Sequence, residues 1–461
     1  MTTTLVLPDG LERELIASLA EPRETAAVLL ARKVNVEAGV RLLGRRVMWV
    51  DDSSYLKRTA TEMTIASAGY VHALSAAEAD RSIAIWFHTH PGVGSIPRPS
   101  RHDQIVDEQI ADLFRLRTGS EAYATLILAP AAAGYAFTGS FEDDGGERVA
   151  IDRIWSVGAA WRLRHSFTEK TAAIDPIFDR NIRAFGPDIQ RIVGDLTVAI
   201  VGSGGTGSAV AEQIVRLGVR KLILIDVDKL SDSNVTRVYG STPVDVGEPK
   251  AEIVAAHLRR IAPDLACTPI EGMVTLERVA RKLREADIVF GCTDDNAGRL
   301  VLSRLSTFYL TPVIDVGVLL SSNADGMLTG IDGRITTMTP GSACLVCRGR
   351  IDLARAGAEL KTPEERKRLA DEGYAPALGQ SEPAVVAYTT AVAAAAVNEL
   401  LDRLIGFGPL DRPTETLLRL HEREISTNHA SPGERHYCHA LQGKWGAGDE
   451  TPFLEQLWPA D

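Results

Sequence analysis

The residues best suited to chemistry form a glycine-rich segment, residues 202–207 (GSGGTG), between an apolar run and a run with helical spacing. This order predicts a strand, a tight turn and a helix. Glycines let the backbone approach a phosphate closely, and the helix N-terminus supplies free N–H groups and a positive dipole. Asp226 and Asp228 end the next predicted strand, about where a ribose hydroxyl would lie. Taken alone, these residues fit a nicotinamide-dinucleotide site.

Cations and carboxylates around this segment favour a different nucleotide. They occur in separated motifs, which are, in chain order, Asp179-Arg180-Asn181, Ser233-Asn234-Val235-Thr236-Arg237, Gly247-Glu248-Pro249-Lys250 and Cys292-Thr293-Asp294-Asp295-Asn296. A dehydrogenase has no use for so many charges. Adenylate formation needs them, because a carboxylate attacks the α-phosphate while Arg and Lys neutralise the developing charge and a carboxylate holds Mg²⁺. The sequence therefore favours ATP over NAD.

A second candidate site contains two histidines, His88 and His90, at the end of a predicted strand. Their imidazoles lie on the same side because side chains alternate along a strand. Asp103 begins the next predicted helix, and two His with one carboxylate and an open position form a catalytic zinc arrangement. Ser100 and Asp103 also have the spacing of a helix capping box. Both interpretations of this pair remain open.

The elements that position these residues divide into two parts. The 461 residues exceed the roughly 250–300 that one hydrophobic core usually supports. Residues 1–150 are predicted as an α/β domain, and the acidic, glycine-rich stretch 142–147 suggests a linker at about 141–165. Its predicted helices are 11–19 and one that begins near residue 100, and its predicted strands are 26–30, 83–87, 124–128 and 135–137.

Residues 151–461 are predicted as a second domain. Residues 151–195 look helical, and strand 196–201 then opens an alternation of strands and helices that is typical of a parallel sheet. Further strands are expected at 222–226, 288–290 and 312–316, and an Ala-rich helix at 384–405. The charged residues 352–372 are expected to be a mobile surface segment with helical pieces.

Composition excludes several classes of partner. The net charge of −11 argues against nucleic acid, whose phosphates attract clustered Lys and Arg. No run approaches the ~20 apolar residues of a membrane span, and residues 1–20 lack the pattern of a signal peptide. Five cysteines, an odd number, do not suggest a disulfide framework. We therefore expect a cytoplasmic protein without a membrane partner.

The motifs from about residue 179 to 404 resemble the ThiF/MoeB family of adenylyltransferases, which includes the adenylation domains of ubiquitin-activating enzymes. Six separated motifs occur in the order of that family. The resemblance implies a Rossmann-like ThiF adenylation domain with a mostly parallel sheet. It also implies that ATP and Mg²⁺ activate the C-terminal carboxylate of a ubiquitin-like or sulfur-carrier protein that ends in Gly.

The same resemblance implies a role for each residue of the nucleotide site. The nucleotide loop would consist of Gly202, Gly204, Gly205 and Gly207, and the ribose would be held by Asp226 or Asp228. The phosphates would be contacted by Arg237 and Lys250, in a loop fixed by Asn234. Asp295 would bind Mg²⁺, and the γ-phosphate would be contacted by Arg180. In that family the last residue acts across a dimer interface, so the resemblance implies a homodimer.

The cysteines permit a metal site. Cys344 and Cys347 have metal-ligand spacing. In the ThiF/MoeB family a second such pair near the C-terminus completes a structural zinc site. Here only Cys438 is present, so zinc would need His436 or His439 as well; the alternative is a vestigial knuckle without metal.

Some relatives carry a cysteine that accepts the activated protein as a thioester. It stands in the segment that corresponds to residues 348–384, which contains no cysteine here. Cys267 and Cys292 are expected to be small core residues. The adenylate is then either the end product or is passed to the thiol of a downstream conjugating protein.

The N-terminal run His88-Thr89-His90-Pro91, followed by Ser100-Arg101-His102-Asp103, resembles the JAMM (JAB) metalloprotease motif. The resemblance implies a JAB-like α/β domain with zinc on His88, His90 and Asp103, a water held by Glu24 as general base, and an oxyanion stabilised by Ser100. That family cuts bonds after ubiquitin-like C-termini. The domain would trim or remove the carrier, or serve as a non-catalytic docking module; protein tagging and sulfur transfer for cofactor synthesis both stay open.

Overall fold

The computed structural model describes residues 1–92, 97–132, 134–143, 146–166, 174–361, 365, 368 and 383–459. The chain divides into two compact units. The first comprises Met1–Ala172 with Trp445–Gly448, and the second comprises Ala173–Lys444 with Asp449–Asp461. The division falls after the expected linker at 141–165. Among the described residues, no helix has both the length and the apolar character that crossing a membrane requires.

The first unit contains one large sheet in the order β11-β10-β1-β3-β2-β6-β7-β8-β9, and a separate hairpin of β4 and β5. Its strands are β1 (Thr2–Pro8), β2 (Ala26–Val36), β3 (Gly39–Trp49), β4 (Tyr55–Arg58), β5 (Met63–Ile65), β6 (Ile83–Thr89), β7 (Tyr123–Ala131), β8 (Gly134–Glu142), β9 (Arg148–Ala150), β10 (Arg153–Val157) and β11 (Arg162–His165). Its helices are α1 (Asp9–Ala17), α2 (Ala68–Ala79) and α3 (Arg101–Thr118).

Helices cover both faces of this sheet, since alternate residues of a strand point to opposite sides. In β2, Leu29 belongs to a core cluster with Leu15 of α1, whereas Val28 belongs to a second cluster with Leu74 of α2 and Phe114 of α3. Strand β6 is buried along its whole length. Its carboxyl end is therefore fixed between two cores, and the histidines at that end have a rigid support.

The second unit contains an eight-stranded sheet in the order β14-β13-β12-β15-β16-β17-β18-β19. Its strands are β12 (Thr197–Val201), β13 (Lys221–Asp226), β14 (Ala266–Glu271), β15 (Ile288–Gly291), β16 (Val313–Ser322), β17 (Leu328–Met338), β18 (Glu415–Arg419) and β19 (Glu424–Asn428). Its helices are α4 (Asp179–Asp195), α5 (Gly205–Leu217), α6 (Lys250–Ile261), α7 (Glu277–Ala280), α8 (Asn296–Phe308), α9 (Leu353–Glu359) and α10 (Val386–Ile405).

The sheet of the second unit changes character at β16. The neighbours from β14 to β16 are parallel, whereas β16 to β19 are antiparallel. The expectation of a parallel sheet therefore describes its first five strands, and the antiparallel extension was not anticipated.

One expectation for the secondary structure was wrong. Residues 151–195 looked helical, but β10 and β11 occupy part of that range, and only α4 is the expected helix. Strand β10 pairs in parallel with β1, and this long-range pairing overrides a weak local pattern. The expected mobile segment 352–372 begins with α9, and most of its remainder lies outside the described residues.

Candidate functional site

One candidate site is a cavity of about 820 Å³ in the second unit. It lies where β12, β13 and β15 end, the edge at which open α/β sheets bind ligands. Nearly all the residues assigned to the nucleotide site line it, namely Gly202, Gly204, Gly205, Asp226, Asp228, Asn234, Arg237, Lys250 and Asp295. The structure thus brings together motifs that are separated by up to about a hundred residues.

The glycines of the loop are required for different reasons. Gly202 has a φ of +93°, and a Cβ there would lie 2.6 Å from the carbonyl oxygen of Cys292. A Cβ at Gly207 would lie 1.8 Å from the carbonyl oxygen of Gly202, so no side chain fits. Gly204 precedes α5 and has open space around its Cβ position. The loop is therefore tight within and open towards the cavity, as a phosphate site requires.

Asp226 and Asp228 have different surroundings. The carboxylate of Asp226 accepts hydrogen bonds from the backbone N–H of Ser203 (2.6 Å) and of Asp228 (2.8 Å), so it ties the loop to β13. Burial raises its pKa, against the nearby charge of Lys250. The carboxylate of Asp228 is 63% exposed and pairs with Lys250 Nζ at 2.8 Å. Asp228 is thus the more accessible of the two proposed ribose ligands.

Arg237 lies against the glycine loop. Its side chain would be 3.3 Å from a Cβ at Gly205, and its Nη1 donates to the carbonyl oxygen of Ser233 at 2.8 Å. Asn234 is buried and caps the short turn that precedes Arg237, with its Oδ1 facing the N–H of Ser231 at 3.4 Å. These contacts agree with a loop that Asn234 holds in place.

Asp295 serves as the N-cap of α8, and its Oδ2 accepts the N–H of Gly298. Thr293 donates its hydroxyl to the other carboxylate oxygen. Burial raises the pKa of Asp295, and these hydrogen bonds oppose the rise. An oxygen donor at the wall of the cavity is the type of ligand that Mg²⁺ prefers, but both oxygens of Asp295 already accept hydrogen bonds, so its role as a Mg²⁺ ligand stays a prediction.

Two arginines of the cavity were missed in the sequence. Arg299 lies four residues after Asp295, one turn along α8, and helical spacing could have placed it on the same face. Arg355 belongs to α9, where its Nε contacts Glu359 at 3.0 Å. No local signal connects α9 to the cavity. It is held there because Glu359 accepts the N–H of Ala297 at 2.9 Å.

Arg180 does not line the cavity within one chain. It is the second residue of α4 and is exposed. Its action across a dimer interface stays a prediction.

Cys344, Cys347, Cys438 and His436 form a compact cluster whose ligand atoms all lie within 4.8 Å of one another. His436 Nδ1 is 3.2 Å from Cys438 Sγ and 3.5 Å from Cys344 Sγ. The alternative ligand, His439, instead accepts the N–H of Leu441 in a short helical turn. The hydrogen bond between Cys344 and Cys438 lowers the pKa of the Cys344 thiol and raises that of Cys438. Three cysteines and one histidine are a fitting donor set for a structural zinc ion.

The other two cysteines are not poised to react. Burial raises the pKa of Cys267 to about 11 and raises that of Cys292 well above its usual range. A thiol with such a pKa is a poor nucleophile at neutral pH. The expectation that they are core residues was wrong, because both are half-buried and Cys292 lines the cavity.

The chain matches the ThiF family over residues 178–440, more than half of its length. It belongs to the ThiF family. The molybdopterin-synthase adenylyltransferase of Escherichia coli is 32% identical over 37% of this chain and 65% of its own length. The SAMP-activating enzyme E1 of Haloferax volcanii is 29% identical over 35% of this chain and 56% of its own length. The chain thus spans less than two thirds of the length of each of these relatives.

Among solved structures, E. coli MccB with ATP is similar to this chain with a TM-score of 0.45 and 18% identity. The similarity covers 58% of this chain and 75% of that chain. The ThiF match begins after the first unit, whose candidate site is separate.

In the first unit, His88, His90 and Asp103 form the other described cluster suited to a metal. The two Nε2 atoms are 3.2 Å apart, and each is 3.5 Å from an oxygen of Asp103. Burial lowers the pKa of His88. Burial acts to raise the pKa of Asp103, but hydrogen bonds with both histidines outweigh it and hold that pKa well below its usual range. Two imidazoles with one carboxylate are a fitting donor set for zinc.

Glu24 and Ser100 lie beside this cluster. Glu24 is buried, and burial raises its pKa, while His90 opposes the rise and Asp103 adds to it. Ser100 Oγ accepts the N–H of Asp103 at 3.1 Å, and Asp103 Oδ2 accepts the N–H of Ser100 at 2.6 Å. The capping box is therefore present, and it fixes Asp103 towards the histidines.

Proposed function

We propose that the second unit uses ATP and Mg²⁺ to adenylate the C-terminal carboxylate of a ubiquitin-like or sulfur-carrier protein. The observation that carries this proposal is one cavity in which a glycine loop, the cations Arg237 and Lys250, and the carboxylate Asp295 converge. Membership of the ThiF family and the adenylyltransferase names of the relatives support it.

Each residue has a separate task in this reaction. The loop N–H groups and the start of α5 receive phosphate oxygens, and Asp228 accepts ribose hydroxyls. Lys250 then exchanges its contact with Asp228 for a phosphate and, with Arg237, offsets the charge that develops as pyrophosphate leaves. Asp295 would hold Mg²⁺, which when bound supplies positive charge to the phosphates. Because residues 348–384 contain no cysteine, the adenylate would be released or passed to a thiol of a downstream conjugating protein.

The nucleotide itself gives the first prediction. ATP with Mg²⁺ should raise the melting temperature of the protein, because binding to the folded state alone stabilises it. NADH should leave it unchanged, since the cavity surrounds the phosphates with more cations than a dinucleotide uses. Differential scanning fluorimetry measures both shifts. Strong stabilisation by NADH without any by ATP would contradict an adenylation site.

The activity is tested by exchange of labelled pyrophosphate into ATP, in the presence of a carrier protein that ends in Gly-Gly. Exchange requires a reversible adenylate, so hydrolysis of ATP alone cannot produce it. The same carrier ending in a Gly-Gly amide is the matched control. Absence of exchange with every carrier of this class would overturn the proposal.

Arg180 gives a second prediction. It is exposed outside the cavity, and we propose that it serves the nucleotide of a partner chain in a homodimer with two equivalent sites. Arg180→Ala should then slow exchange, and mixing it with a Lys250→Ala chain should restore part of the activity. Light scattering and exchange rates of the mixture measure this. A monomer that exchanges pyrophosphate at full rate would contradict it.

For the first unit we propose a JAB-like zinc metallopeptidase that trims or removes the same carrier. His88, His90 and Asp103 would hold zinc, which when bound supplies a water with a pKa of about 7. Glu24 would take the proton from that water and return it to the leaving amine. The rival is a docking module without catalysis, and the metal content of the protein separates the two. In the second unit, a structural zinc ion would be held by the cluster of Cys344, Cys347, His436 and Cys438.

A further inference from the structure

A second cavity of about 410 Å³ adjoins the nucleotide cavity in the second unit. The two cavities share Arg299, Gly317 and Val318, and the second contains no residue of the glycine loop. It lies over the antiparallel part of the sheet, where Gly317 of β16, Arg334 of β17 and Leu417 of β18 are directly paired. Paired residues project to the same face of a sheet.

This face is opposite to the one that α10 covers. A Cβ at Gly333 would lie 2.4 Å from Val392 of α10, so that side of β17 is filled. Arg334 is the next residue and points the other way. Leu319, two residues after Gly317, is 51% exposed on the same face. The cavity therefore combines guanidinium groups with apolar side chains on an open sheet surface.

A buried carboxylate, two residues before Gly317 in β16, holds the guanidinium groups of Arg299 and Arg334 in place. Asp315 is fully buried and contacts both Arg299 Nε (3.4 Å) and Arg334 Nη2 (2.9 Å). Two cations thus share one anion, which leaves one positive charge in excess. By contrast, Arg350 donates two hydrogen bonds to Glu415, and that pair is balanced.

The guanidinium groups of Arg299 and Arg334 face the same space above Gly317. A Cβ at Gly317 would lie 3.5 Å from Arg334 Nη2 and 3.7 Å from Arg299 Nη2, so both guanidinium groups reach the same space. Within the described part of the chain, the two Nη atoms of Arg299 have no hydrogen-bond partner. Asp332 also lines the cavity, but its carboxylate lies towards His421 at 4.0 Å. An oxyanion between the two arginines would receive the donors that the protein leaves free.

We infer that Arg299 and Arg334, braced by Asp315, form a carboxylate-binding subsite for an acidic side chain in the tail of the protein substrate, upstream of the residue that is adenylated. The inference rests on the proposed adenylation for its substrate. The reacting carboxylate must reach the α-phosphate at the glycine loop, which the second cavity does not touch. The preceding residues of the tail are the part that passes Gly317 and Leu319.

The test measures binding, so that it does not depend on turnover. Fluorescent peptides ending in Gly-Gly carry one Glu at successive positions before the end, and each has a twin with Gln. Fluorescence anisotropy should show a preference for Glu of about 10-fold at one position, which corresponds to about 1.4 kcal/mol. Arg334→Gln should abolish the preference, because it removes one of the two guanidinium groups that face the carboxylate. Arg334 itself does not line the nucleotide cavity.

Two further variants guard against a trivial loss of folding. Gly317→Ala removes no charge and places a methyl group where the two guanidinium groups converge, so it should also abolish the preference. Arg216→Gln removes an arginine that pairs on the surface of α5, and it should keep the preference. Melting temperatures of all variants confirm that they are folded.

Other outcomes would overturn the inference. Equal binding of Glu and Gln peptides at every position would do so, as would a preference that survives in Arg334→Gln. Arg334→Gln could instead weaken the affinity for Glu and Gln peptides equally, with no weakening for peptides that end in an amide. That result would assign the arginines to the terminal carboxylate. Pyrophosphate exchange reports separately on adenylation, so its absence with a retained Glu preference would contradict only the proposed activity.

Discussion

Asp295→Asn should slow pyrophosphate exchange by about 10²-fold or more, the usual scale for losing one preorganised charge contact. The choice of Asn follows from the structure, because Asp295 also caps α8 through the N–H of Gly298. Asn is as good an N-cap as Asp, whereas Ala would cost about 1 kcal/mol of stability. Asn therefore removes the charge that Mg²⁺ needs and keeps the helix. Initial rates at saturating ATP and carrier measure the effect.

Lys250→Ala should have an effect of the same size for a different reason. It removes a cation that offsets charge as pyrophosphate leaves, and the Asp228 carboxylate that loses its partner is 63% exposed, so the fold should tolerate the change. Lys221→Ala, at an exposed position that begins β13, is the matched control and should exchange at the wild-type rate. Unchanged exchange in both Asp295→Asn and Lys250→Ala would remove the assignment of this cavity as the adenylation site.

The elements that carry motifs were predictable because their signals are local. The glycine loop requires Gly207 by steric contact with the carbonyl oxygen of Gly202, and the box of Ser100 and Asp103 marks the start of α3 within one residue. Such signals depend on residues close in the chain. Local signals therefore indicated residues that the structure brings together in one cavity and one cluster, while their roles stay predictions.

The features that the sequence did not predict depend on pairing between distant residues. Strand β10 is a short apolar run, and only its pairing with β1, about 150 residues away, makes it a strand. The subsite at Arg299 and Arg334 depends on the register of β16 with β17, which places Gly317 opposite Arg334. The choice between His436 and His439 likewise required the fold, since both lie next to Cys438 in the region of the expected zinc ligands.

The two units would act on one object if both proposals hold. One would expose or release the terminus of a carrier protein, and the other would activate the same terminus. The residues assigned to each site lie within a single unit, so variants of one site should leave the other reaction unchanged. This independence makes the peptidase proposal testable in the whole protein.

His88→Ala and Glu24→Gln should therefore fail in different ways. His88→Ala removes a direct ligand from a cluster whose atoms lie 3.2–3.5 Å apart, so it should lose both the zinc of the first unit and all cleavage of a carrier extended beyond its Gly. Glu24→Gln keeps all three ligands and should keep most of the zinc, yet lose about 10²–10⁴-fold in cleavage rate, the range for a missing general base. Zinc per chain is measured by mass spectrometry, with the cluster at Cys344 counted separately through a Cys344→Ser variant.

His102→Ala is the matched control for both changes, because His102 is the exposed neighbour of Asp103 and does not belong to the metal cluster. It should retain zinc and cleavage. Pyrophosphate exchange should be the same in all three variants, since the nucleotide cavity lies in the other unit. If the wild-type protein holds no zinc at His88 and cuts no extended carrier, the first unit is a docking module. If Glu24→Gln keeps both zinc and full activity, the metallopeptidase proposal stands but another residue is the general base. The raised pKa of Glu24 would then reflect only its burial.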